Sequence, residues 1–293
     1  MIRVDNVDFN SRERLAGTFD SIAQFGRWVQ DASAKRDRLL WGTESVDNAS
    51  GKTWAEFGYS EALDRALDGG AFPEYEALKQ ELDLGLPVAE PGMNLSVEPD
   101  MLGEELDLTA YREHDPECMH AISFVEADDR VVRIGVNTCN PASATRQQIM
   151  NRARAVLAAV NWLEEHGYSV ELSIILYNRK NVDADQAMVS CKIVVKPAGM
   201  LVSVEQLAFA LSAGFYRRLG FRLQECFSEM RVTGYGIGEG GRNQDQIKAE
   251  LGLDIYLPYM RPDDWGTDAS AARRMRAALK GANLKTAWDG TDG

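Results

Sequence analysis

Apolar residues recur at helical spacing over residues 21–32, where Ile22, Phe25, Trp28, Val29 and Ala32 share one side of a helix. Asp20 or Ser21 supplies its N-cap, because a short side-chain oxygen accepts a backbone N–H that the first turn leaves over. The pattern predicts two more helices, over residues 59–67, closed by Gly69 and Gly70, and over residues 73–84, which open on Pro73. Residues 41–54, between the first helix and these two, read as a polar loop bracketed by Trp41 and Trp54. Over residues 85–103 no period is sustained, and Pro87, Pro91 and Pro99 recur among glycines, so this stretch reads as a linker or a wrapping loop.

The pattern changes near Cys118. Val131, Val132, Ile134 and Val136 make a short apolar run, and Thr145-Arg146-Gln147-Gln148 then writes a capping box, so a strand feeds a helix. That helix gathers Ile149, Ala153, Val156, Leu157, Val160 and Leu163 on one side and stops at Gly167. Val170, Leu172, Ile174 and Leu176 alternate directly afterwards, which completes a βαβ unit with a right-handed connection. A third strand fits residues 189–195, Ser203 with Gln206 opens a helix that turns Leu207, Ala208, Leu211 and Phe215 inward, and residues 255–259 fit another strand. A basic amphipathic helix over residues 271–279, capped by Ser270, closes the order. The expected fold class is α/β, a three-layer arrangement of a mostly parallel sheet with helices, preceded by a helical N-terminal segment. The expected divisions are a helical segment at 1–84, a linker or wrapping loop at 85–117 and an α/β domain at 118–293.

Composition narrows the function classes. The 293 residues carry 45 acidic and 32 basic side chains, a net charge of −13, which disfavours nucleic acid as a bulk partner because phosphate contacts need a surplus of Lys and Arg. With 45% hydrophobic residues and 26% charged ones the chain is neither disordered nor fibrous. The first residues reach charge at once, without the apolar core of a signal peptide, and no stretch approaches the roughly 20 apolar residues of a membrane span. The expectation is a cytoplasmic protein with no membrane partner. Cys118, Cys139, Cys191 and Cys226 form no C-x-x-C pair, so reduced, buried thiols are expected.

Candidate chemistry is sparse. The loop after the first βα strand, with Asn137, Thr138, Cys139 and Asn140, lies where ligands bind in open α/β sheets. It resembles in position the Asp-x-Ser-x-Ser metal loop of von Willebrand factor A domains, but Asn137 stands in the place of the acid and Cys139 and Pro141 in those of the serines. A turn with capping duties, or a partner-contact loop, suits these residues better. His114, Cys118 and His120 supply zinc-type ligands at a spacing that matches no standard site, and an exposed acidic turn is the simpler reading. His166, beside Gly167, reads as a favourable charge at a helix C-terminus. Residues 46–53 echo the end of a phosphate-binding loop, but Val46 replaces its first glycine, so a solvated loop is expected. The glycine run at 234–241, with Tyr235 inside it and Arg217, Arg218, Arg222, Arg231 and Arg242 nearby, reads as a mobile loop or a contact surface that could also receive an anion. No catalytic set assembles and no cofactor is called for.

Several short segments carry a resemblance. Ser21-Ile22-Ala23-Gln24-Phe25, Trp41-Gly42-Thr43, Asp107-Leu108 with Pro116-Glu117-Cys118-Met119, residues 151–157 and Arg217-Arg218-Leu219-Gly220-Phe221 are similar, in this order, to an uncharacterised family encoded by tailed phages and prophages. Residues 130–225 also resemble von Willebrand A-like α/β domains. Neither likeness transfers a catalytic residue. The resemblance implies a phage or prophage interaction protein without activity of its own, in the host cytoplasm or on the virion. Its partner would be a host or phage protein, and it could self-associate. Asn137, Thr138, Asn140, Arg217, Arg218, Arg222, Tyr235 and Arg242 are the expected contacts. The competing expectations are a metal-dependent enzyme acting on a phosphorylated or nucleic-acid substrate, and a structural virion component.

Overall fold

A computed structural model describes residues 3–4, 7–8, 14–34, 55–70, 78, 82–86, 95–100, 105–106, 111–112, 119–124, 131–179, 188–226 and 244–282. Among these the strands are β1 (Arg3–Val4), β2 (Val7–Asp8), β3 (Arg14–Phe19), β4 (Leu95–Asp100), β5 (Glu105–Leu106), β6 (Met119–Phe124), β7 (Val131–Asn137), β8 (Ser169–Arg179), β9 (Met188–Lys196) and β10 (Ile255–Leu257). The α-helices are α1 (Ile22–Ala34), α2 (Tyr59–Leu67), α3 (Arg146–Glu165), α4 (Val204–Leu211), α5 (Phe221–Cys226), α6 (Gln244–Leu251) and α7 (Asp268–Lys280), and a π-helical turn, Phe215–Gly220, leads into α5.

The central sheet has the order β10-β7-β8-β9-β3. Its β10–β7, β7–β8 and β3–β9 pairs are parallel and its β8–β9 pair is antiparallel, so the fold is α/β with a mostly parallel sheet. Alternation along β8 sets the layers: Val170, Leu172, Ile174 and Leu176 enter the main core, whereas Ile175 packs with Ile247 of α6, Leu253 and Tyr256 in a second cluster. Side chains of successive strand residues point to opposite faces, so both faces of the sheet are covered.

Local chemistry places α3 between β7 and β8. The Thr145 hydroxyl accepts the Gln148 N–H and the Gln148 side chain accepts the Thr145 N–H, the reciprocal pair expected of a capping box. At the other end Gly167 takes φ +80° as the chain leaves the helix, a conformation open to glycine. The cap of α7 is Thr267 rather than Ser270, which serves as its capping-box partner three residues on.

The N-terminal segment is not only helical. It supplies β3, which pairs with β9 at the edge of the central sheet, and Phe25 of α1 packs on Phe215 at 5.7 Å between ring centroids. Its apolar residues belong to the same core as those of β7 and β8. The stretch read as a linker also carries strands: β4 and β5 flank β6 in an antiparallel sheet of order β4-β6-β5. Pro99 lies in β4, an edge strand, the kind of strand to which proline is confined within sheets. The helix expected at 73–84 falls mostly outside the described residues. No helix among the described residues is long and apolar enough to cross a membrane.

Candidate functional site

The carboxyl ends of β7 and β10 meet in a polar knot. Asn137 Oδ1 accepts the Cys139 N–H at 3.0 Å, and its Nδ2 donates to the Tyr256 hydroxyl at 3.0 Å. From α3, Arg152 reaches under the loop and donates to the carbonyls of Asn137 (2.8 Å), Leu257 (3.2 Å) and Pro258 (2.7 Å), while its guanidinium lies 5.3 Å from the Trp265 ring centre. Asn137, Thr138 and Asn140 are all buried. The expected contact loop therefore turns its side chains inward, because each polar group of Asn137 has a partner inside the fold.

The arginines meet the same fate. Arg217 Nη2 donates to the Pro141 carbonyl (3.1 Å), Arg218 Nε to the Phe57 carbonyl (2.8 Å) and Arg222 Nε to the Ser33 hydroxyl (2.8 Å), and Arg222 lies over the Tyr59 ring at 4.9 Å. All three are buried, so they tie the N-terminal segment and the strand-end loop to the π-helical turn and α5 instead of facing a partner. Burial lowers the Arg217 pKa, with the Glu56 carboxylate and Tyr216 opposing the shift. A guanidinium stays charged through such a shift.

This donor set does not suit a hard divalent cation. Thr138 Oγ1 and Asn140 Oδ1 are buried oxygens without a hydrogen-bond partner among the described residues, but both are neutral. The guanidiniums of Arg152 and Arg217 press on the same loop, and Glu56 lies 3.7 Å from Arg146 Nε. Magnesium or calcium needs carboxylate charge at this point. Among the described residues no three His, Cys, Asp or Glu side chains gather where they could hold a metal ion. His114, Cys118, Tyr235, Arg242 and residues 46–53 lie outside the described residues, and His120 falls in β6. His166 is the C-cap residue of α3, with its ring 3.9 Å from that of Trp162 and its Nδ1 2.5 Å from the Trp162 carbonyl.

A feature that the sequence reading missed lies on the outer side of α3. A cleft of about 460 Å³ runs between Leu157, Ala158 and Trp162 on α3, the stretch Leu82 to Leu86, and Val202 with Val204 before and within α4. The far wall is fixed by Arg276 of α7, which donates to the Leu84 carbonyl at 2.6 Å. Beside the cleft the turn after β9 exposes Met200 by 61% and Leu201 by 93%. Single exposed apolar residues are ordinary, but two in sequence beside an open apolar cleft make a patch that gains by being covered. The signal was present as Met200-Leu201-Val202 directly after Gly199, an apolar triplet in a turn.

The chain belongs to the family described as Domain of unknown function (DUF7192), whose family model matches residues 6–285. No curated protein and no solved structure matches it.

Proposed function

We propose that this is a phage- or prophage-encoded soluble protein that acts by binding a host or phage protein, in the host cytoplasm or on the virion. The observation that carries this reading is the exposure of Met200 and Leu201 beside the cleft along α3. Covering apolar surface yields about 25 cal/mol per Å² before the costs of association, and an anchor that fills a pocket contributes most. The phage setting rests on the segments around Ile22, Trp41, Arg152 and Arg217 that resemble the phage family. The contact surface of this proposal is the cleft side of α3; the strand-end loop and the buried arginines have structural duties.

The test is copurification. The tagged protein is expressed in a phage-susceptible host, with and without infection, beside a Met200→Asp/Leu201→Asp variant. The expected result is one host or phage protein at fixed ratio with the wild type and its loss from the variant, at unchanged thermal stability. A wild-type protein that emerges without any such companion overturns the reading.

A further inference from the structure

We propose that the cleft along α3 receives a basic amphipathic segment of the partner, with apolar side chains between α3 and the Leu82–Leu86 stretch and a Lys or Arg beside Glu165. This inference rests on the interaction reading above and adds the chemistry of the occupant.

Charge points to a basic occupant. Among the cleft's lining residues Arg154 supplies a positive charge, and Asp268 holds it at 2.8 Å. The acids Asp83 and Glu165 are both exposed, and among the described residues neither has a cation partner; Asp83 Oδ1 accepts only the Gly85 N–H, at 2.6 Å. Glu165 is the last residue of α3, a 20-residue helix with no basic side chain in its final turn. The helix dipole adds negative potential at that end; Lys196 of β9 meets Glu164 on the inner side, and the exposed Glu165 carboxylate is left to favour a cation from outside. The His166 ring that follows Glu165 has its Nδ1 against the Trp162 carbonyl.

Shape points to a chain. Val202 and Val204 line the cleft, and the exposed Met200 and Leu201 directly precede them in the chain, so apolar positions are offered both inside the cleft and outside it. An amphipathic helix laid into such a groove places anchors at successive turns and keeps its polar side for the rim. A second copy of this chain is a poor occupant, because two bodies of net charge −13 repel.

The test uses defined probes and the full-length protein. A fluorescein-labelled peptide of about 18 residues, with Leu at helical spacing and Lys elsewhere, is compared with a twin carrying Glu for Lys. Anisotropy is read at about 0.15 M salt against wild type, Glu165→Lys and Leu201→Asp. The expected result is at least about ten-fold tighter binding of the Lys peptide, weakened about ten-fold by Glu165→Lys. Both substitutions lie at exposed positions, and circular dichroism should not change. Equal affinity for the two peptides, or an unmoved affinity in Glu165→Lys, overturns the proposal. So does binding of a small apolar dye in the cleft with no peptide bound, or a cleft closed by self-association in sedimentation. A cellular partner captured at fixed ratio alongside failed peptide discrimination removes this inference and leaves the interaction reading. Peptide discrimination without any cellular partner overturns the interaction reading and, with it, the assignment of the occupant to a partner.

Discussion

Asn137 and Tyr256 are joined by a hydrogen bond from the amide nitrogen to the phenol oxygen, 3.0 Å, across the β7–β10 pair. It draws the residue that ends β7 into the fold, at the point where a parallel sheet commonly offers its ligand site. Tyr256→Phe and Asn137→Ala should each cost about 1–3 kcal/mol, since each leaves a buried polar atom without its partner. A double-mutant cycle by urea unfolding should show that the two losses do not add. Partner binding should survive both, and loss of the partner in folded Tyr256→Phe would return the strand end to the list of contact surfaces.

Lys196, at the end of β9, is wholly buried, with its ammonium paired to Glu164 of α3 and donating to the Val170 carbonyl at 2.8 Å. Removing one member of a buried pair is costly because the other charge stays behind. Glu164 keeps 31% of its side chain exposed, which softens the loss. Lys196→Ala should therefore cost about 2–3 kcal/mol, and Lys196→Met combined with Glu164→Gln clearly less. Denaturant midpoints at constant m-value check the ranking.

Burial pushes the Cys191 thiol well above its ordinary pKa. The folded state then holds a proton that the unfolded chain releases, so this contribution is complete below the unfolded thiol's pKa and is lost as pH rises above it. Stability should fall above about pH 8.5 with a slope of about 1.4 kcal/mol per unit from this group. Cys191→Ala should lose that part of the slope when unfolding is measured between about pH 8.5 and 10. An identical slope in the variant would contradict the assignment.

Gly214 sits where a Cβ would lie 2.3 Å from the Phe57 ring and 2.6 Å from the Ala55 carbonyl oxygen. The backbone of residues 55–57 must therefore move to admit alanine. Gly214→Ala should destabilise by about 1–3 kcal/mol, read as a lowered melting temperature. It should also loosen the Arg218 bond to the Phe57 carbonyl, visible as faster amide exchange in α2.

The sequence made legible what is local and periodic. The Thr145–Gln148 box, the inward side of α3 and the alternation of Val170, Leu172, Ile174 and Leu176 all depend on near neighbours. Edge strand β3 was hidden because its partner β9 lies some 170 residues on, from Leu15 opposite Val189, and residues 14–19 lack a clear alternation. Arg217, Arg218 and Arg222 read as surface charge, since burial of a guanidinium depends on carbonyls and hydroxyls that distant segments bring, Pro141, Phe57 and Ser33 here. The cleft was hidden for the same reason: Leu82, Leu157 and Val204 meet only in three dimensions.

The central claim, that the cleft side of α3 is where a partner binds, is tested most directly by amide hydrogen exchange on the protein with and without its copurified companion. The account predicts added protection over residues 82–86, 154–165 and 197–204, with the strand-end loop at 137–141 unchanged. Protection confined to other segments, with these three stretches exchanging as in the free protein, would contradict it.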